Sequence, residues 1–116
     1  NPGLPAEKRA ALAAFDGAAA NYQSVVLESF RQVADTLRAV ENDAETLAAL
    51  TTANTAAQGS LNSVEWQYKL GSVSYQQLLI AQQQTQSIRI NLVAAKAQRL
   101  LDSVALYQSM GGSFRN

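Results

Sequence analysis

Two long segments that read as helix meet at Tyr68-Lys69-Leu70-Gly71-Ser72-Val73-Ser74-Tyr75-Gln76-Gln77. This break makes the chain a helical hairpin. On its downstream side Ser74 and Gln77 have the spacing of a capping box, and Val73 and Leu78 stand where a hydrophobic staple would close over it. On its upstream side Gly71 suits the left-handed residue that ends a helix, and Lys69 complements the dipole of the last turn. Gln67 and Ser72 do not supply the apolar contact that accompanies a full Schellman motif.

The sequence predicts a long helix over residues 6–70, a turn at 71–73, a second helix over 74–110 and a tail at 111–116 that begins with the stop Gly111-Gly112. Residues 1–5 are turn chemistry, native or added, with Pro5 suited to the first helical position. No proline follows Pro5, and Ala, Leu, Glu, Gln and Arg dominate the first segment, as expected of a helix. Val26, Phe30, Val33, Leu37, Val40, Ala44 and Leu47 step by fours and threes like a coiled-coil seam. Leu50, Asn54, Ala57, Leu61, Val64 and Tyr68 resume the step after a local slip between Leu47 and Leu50. Thr51-Thr52-Ala53-Asn54-Thr55 and Gly59 weaken this helix, and Gly17 does so more mildly. A break near Gly59-Ser60 would give three helices, but the seam keeps its step there and one helix of about 60 residues, roughly 90 Å, is favoured.

The second helix, about 54 Å long, covers the first only from the bend to about residues 28–33. Leu12, Phe15, Ala19, Tyr22 and Val26 nevertheless continue as an apolar stripe along the overhang. The second helix carries two stripes, Ile90, Val93, Ala97, Leu100, Val104 and Tyr107 beside Ile88, Leu92 and Ala95. One partner helix needs one seam, so two stripes point to a bundle or ring. A two-helix layer also buries too little surface to stand as a compact globule.

The 116 residues carry nine basic and nine acidic side chains, with no cysteine and no histidine. That balance leaves no electrostatic footprint for nucleic acid or anionic lipid. It also removes disulfides, thiol chemistry, imidazole bases and the usual transition-metal ligands. No apolar run approaches the roughly 18 to 20 residues of a membrane span, and no signal segment opens the chain. A membrane protein containing this sequence would use it as a water-facing part.

Individual motifs are sparse. Glu28/Arg31, Arg31/Asp35, Asp35/Arg38 and Glu65/Lys69 have the spacing of ion pairs worth about 0.2 to 0.5 kcal/mol each. Glu41 and Glu45 share a face near Asp43, but two carboxylates with no other converging ligand do not make a cation site. The hydroxyls have no histidine base and there is no phosphate-binding loop, so neither catalysis nor a cofactor is expected. Tyr68 continues the seam and reads as core. Trp66, about 200° around the helix from Tyr68, faces a second neighbour, a partner or water, with partner contact favoured because exposed aromatics are enriched at interfaces. Gln82-Gln83-Gln84-Thr85-Gln86-Ser87 gives the second helix an uncharged polar surface, either a wet pore lining or an ordinary solvated face.

Three blocks together resemble the outer-membrane factors, the TolC-like ducts of bacterial efflux and type I secretion. They are Asn21-Tyr22-Gln23-Ser24-Val25-Val26-Leu27-Glu28-Ser29-Phe30 with Val33 and Leu37; the bend with Tyr68, Gly71, Ser74 and Leu78-Leu79-Ile80-Ala81-Gln82; and Leu106-Tyr107-Gln108-Ser109-Met110-Gly111-Gly112-Ser113-Phe114. The resemblance implies an all-α, coiled-coil hairpin with unequal arms, the second-repeat periplasmic hairpin of a trimeric α-barrel. The first repeat, the β-strands in the outer membrane and the signal sequence would lie elsewhere in a longer chain. It implies passive conduction of solutes and docking of a periplasmic adaptor protein at the tip through Leu70, Gly71, Ser72, Val73 and Ser74, with an inner-membrane pump reached through the adaptor. Some members close the tip with aspartates at positions matching Gln77 and Ile80. Neither is acidic here, so any constriction at Gln77, Ile80 and Gln84 would be polar and apolar, not ionic. The reading from another class is a free-standing structural or signalling coiled coil, in which case the overhang would be covered within its own assembly.

Overall fold

The computed structural model describes Gly3 and residues 5–115, with side chains described as far as Gly111. Residues 1, 2 and 4, part of the expected N-terminal turn, lie outside the described residues. Two helices, α1 (Ala6–Lys69) and α2 (Tyr75–Arg115), form an antiparallel hairpin. Its extents are 98 × 24 × 14 Å. The first dimension is the length of a nearly straight 64-residue helix at 1.5 Å per residue. The last is about one helix diameter, so the hairpin is a single layer.

Pro5 sits one residue ahead of the helix, with an extended ψ of 151°, and its carbonyl accepts the first backbone bond, from the Arg9 N–H at 3.1 Å. The threonine-rich stretch does not interrupt α1. Thr51 Oγ1 donates to the Leu47 carbonyl at 2.7 Å and Thr55 Oγ1 to the Thr51 carbonyl at 3.1 Å. These hydroxyls are satisfied within the helix instead of competing with it. Helix α1 also runs unbroken through Gly17 and Gly59.

The seam of α1 differs from the expected one. Val26, Ser29, Val33, Thr36, Val40, Asp43, Leu47, Leu50, Asn54, Ala57, Leu61 and Val64 are covered, with Ala39, Ala53, Gln58 and Glu65 half-buried beside them, an unbroken heptad with no slip at Leu47. Phe30, Leu37 and Ala44, expected in the seam from their 4-3 step, lie one position away and are exposed. Ser29, Thr36 and Asp43 take their places. The polar side chain at Thr36 is accommodated because its hydroxyl bonds to the Gln32 and Val33 carbonyls at 2.9 and 3.0 Å and to Ser109 Oγ at 3.1 Å.

On α2 the facing positions are Leu78, Ala81, Thr85, Ile88, Leu92 and Ala95, followed by Asp102, Leu106 and Ser109. Of the two apolar stripes, the one containing Ile88, Leu92 and Ala95 therefore packs on α1. Thr85 is the most buried of these; its hydroxyl donates to the Ala81 carbonyl at 2.8 Å and approaches the Ala57 carbonyl across the seam at 3.5 Å. Small residues at Ala57 and Ala81 permit that approach. Leu78 and Leu92 are the buried apolar side chains of the described residues, too few to stabilise a self-contained globule.

Helix α2 continues through Gly111 and Gly112 to Arg115, beyond the expected stop after Met110. A glycine pair lowers helix propensity by about 1 kcal/mol per residue, but it ends a helix only when a residue turns left-handed. Among the described residues only Gly71 has a positive φ.

Candidate functional site

The tip is built by two interlocking local motifs. Gly71, at φ +79°, donates its N–H to the Tyr68 carbonyl at 3.0 Å, and Ser72 donates to the Gln67 carbonyl at 2.7 Å. These are the paired bonds of a Schellman motif, formed without its usual apolar contact. Two residues on, Gln77 N–H donates to Ser74 Oγ at 3.1 Å and Ser74 N–H to Gln77 Oε1 at 2.9 Å, which is the reciprocal capping box. Val73 is half-buried and Leu78 buried, as the two members of a hydrophobic staple would be. The turn is thus fixed at both ends.

A side chain at position 71 would meet no atom within 4 Å, so the need for glycine there comes from the backbone angle alone. Gly71→Ala is expected to cost about 1 to 2 kcal/mol, the penalty of a left-handed L-residue, and Gly71→Asn less. Urea unfolding of the three proteins checks this ordering.

Leu70 is 75% exposed, and Gly71, Ser72 and Ser74 are also exposed. Tyr68 is not core: at the end of the seam it stays 41% exposed, with its ring against that of Tyr75, the first residue of α2, at a centroid distance of 5.9 Å. Trp66 is 66% exposed, and the Lys69 ammonium lies 5.4 Å from its ring centroid. That cation–π contact takes Lys69 away from the expected Glu65 pair. Of the anticipated ion pairs, Glu28 and Arg31 meet at 3.3 Å. The bend therefore presents an uncharged loop flanked by Trp66, Leu70 and Tyr75.

Gln77, Ile80 and Gln84 are all exposed along one flank of α2, stepping by threes and fours. Gln77 is already engaged as a cap, whereas Gln84 borders an open groove of about 330 Å³ between the helices, lined mostly by small residues such as Ala53, Ala57, Ser60 and Ala81.

Two apolar surfaces lie away from the seam. Ile90, Val93, Leu100, Val104 and Tyr107 are each at least half exposed on the side of α2 turned from α1, and Leu27, Phe30 and Leu37 form a comparable strip on α1. The overhang, residues 6–25, is exposed throughout, with Leu12, Phe15 and Tyr22 continuing the heptad of the seam beyond the point where α2 covers it. The sequence shows the first of these as one of two stripes on α2 without saying which faces α1, and Phe30 and Leu37, expected in the seam, lie outside it.

Among the described residues no helix is long and apolar enough to cross a membrane, and no group of three potential metal ligands converges. The family model described as outer membrane efflux protein matches residues 3–112. The chain belongs to that family, a transport family of the outer membrane and not an enzymatic one. No curated protein and no solved structure matches it.

Proposed function

We propose that the chain is a periplasmic stave of an outer-membrane efflux duct, conducting solutes passively within a trimeric α-barrel and docking a periplasmic adaptor protein at its tip. The observation that carries this reading is the second apolar strip on each helix. A coiled-coil pair needs one seam per helix, whereas a helix in a closed ring touches a neighbour on each side. The strip from Ile90 to Tyr107 and the strip at Leu27, Phe30 and Leu37 supply those second contacts. The exposed overhang supplies a third, for helices in other parts of the assembly. A free-standing coiled coil would have no use for all three.

Docking would fall on Leu70, Gly71, Ser72, Val73 and Ser74, where rigid motifs hold an exposed loop, with Trp66 beside it as an aromatic anchor of the kind enriched at interfaces. Gln77, Ile80 and Gln84 would face the conduit as a polar and apolar constriction. The adaptor would link the duct to an inner-membrane pump. Because the loop itself carries no charge, its binding should depend only weakly on salt.

The test is binding of the cognate adaptor to the full-length protein carrying Leu70→Asp or Ser72→Arg, with Gln83→Arg as a distant control. At least tenfold weaker binding at the two tip positions, with helicity and the control unchanged, is expected. Unchanged binding at both would remove the tip from the interface.

A further inference from the structure

We propose that Asp43 and Asp102 form a proton-sharing carboxyl pair across the seam, and that its ionisation loosens the upper part of the hairpin. The register puts them together. Thr36 and Ser109 meet across the seam at 3.1 Å, and one heptad nearer the bend on each helix stand Asp43 and Asp102. Both are half-buried. The Asp43 Oδ2 atom is fully occluded and has no hydrogen-bond partner, whereas Asp102 Oδ1 accepts from Gln98 Nε2 at 3.0 Å.

Two ionised carboxylates are acceptors only, so nothing between them could satisfy the occluded oxygen. One proton taken from water changes that: the pair becomes an O–H donor facing an ionised acceptor, a short and strong hydrogen bond. Nearby charge does not substitute for the proton. Arg99, at the adjacent seam position of α2, is exposed and forms no ion pair with either aspartate. Lys96 on α2 and Arg38, Glu41 and Glu45 on α1 are exposed at flanking or outer positions. Consistent with this, the Asp43 carboxyl is held above the usual range, first by the facing Asp102 carboxyl, to which only its protonated form can donate, then by burial and by repulsion from the Asp102 charge.

A carboxyl whose pKa is raised on folding binds more protons in the folded state. Its stabilisation is fully present below the unfolded pKa, about 3.9, and is lost as pH rises through the folded value. The zipped state therefore belongs to the acidic side.

Hydrogen exchange of the full-length protein reads this directly, using peptides over 36–50 and 95–109 with 57–64 and 78–88 as an internal reference. After correction for intrinsic exchange, protection of the upper peptides relative to the reference should fall from pH 5 to pH 8, by up to about tenfold for each unit of upward shift. Asp43→Asn should keep full protection at both pH values, since its amide always donates to Asp102. An identical pH course in the wild type and Asp43→Asn would overturn the proposal. So would a wild-type profile that moves on adding a chelator, which would mean that a bound cation neutralises the pair. A readout that needs no variant is the infrared band of protonated carboxyls in the wild type. A band that titrates above the ordinary aspartate range supports the pair, and its absence overturns it.

Discussion

Leu92→Ala is expected to destabilise the unassembled hairpin by about 2 to 3 kcal/mol, the lower part of the range for a leucine truncated in a core, whereas Val93→Ala next to it should stay within about 0.5 kcal/mol. Leu92 is 8% exposed and Val93 62%. The two differ by one residue along α2, hence by about 100° around it, and the contrast reports which stripe of the helix faces α1. The loss falls low in that range because a layer 14 Å thick has no further elements packed over it, so neighbouring side chains can move into the vacated space. Urea unfolding followed by helicity measures both variants. Equal losses would mean that α2 is rotated from the position described.

That contrast also marks where the sequence was legible. The bend was, because each of its signals is local: Ser74 and Gln77 cap one another across three residues, and Gly71 needs only its own backbone to turn. The hairpin and the unequal arms follow from the same break. The exact face of α1 was not legible, because the largest apolar residues were taken for the core. Phe30 and Leu37 are large but stand one position off the seam, while Ser29, Thr36 and Asp43 are polar and in it. Size fails as a guide when a helix serves several neighbours, since each neighbour claims part of the apolar surface.

The Asp43–Asp102 pair was hidden for a related reason. Along the chain Asp43 groups with Glu41 and Glu45 and reads as a solvated acidic run. Only the register set by Thr36 and Ser109 shows that it faces another aspartate across the seam. The end of α2 at Arg115 was missed in a different way: Gly111-Gly112 is a strong stop signal only where the chain leaves the helix, and nothing in the two residues themselves dictates that. Likewise the tip's candidate contacts were legible as a turn, but the exposure of Tyr68 depends on where α2 begins to cover α1.

On the proposed reading of the chain as a stave of a trimeric duct, Leu100→Glu is expected to abolish assembly of the full-length protein while leaving the unassembled hairpin within about 0.5 kcal/mol of its original stability. In the unassembled hairpin Leu100 is 69% exposed, so a carboxylate there stays in water and costs little. Within a ring of helices the same carboxylate would be pressed against an apolar neighbour; Lys96, one turn back and exposed, would return only about 0.2 to 0.5 kcal/mol as an i,i+4 pair, and the strip's own positions from Ile90 to Tyr107 carry no basic residue to offset the burial. An unpaired buried charge of that kind costs several kcal/mol, and three symmetry-related copies would multiply the effect. Gln83→Glu, on the exposed polar part of α2 below the strip, places the same charge in water and should leave assembly intact. Sedimentation of the purified proteins separates the outcomes: trimers with Gln83→Glu and monomers with Leu100→Glu are expected, whereas trimers with both would turn the strip toward solvent and leave the ring without its second contact.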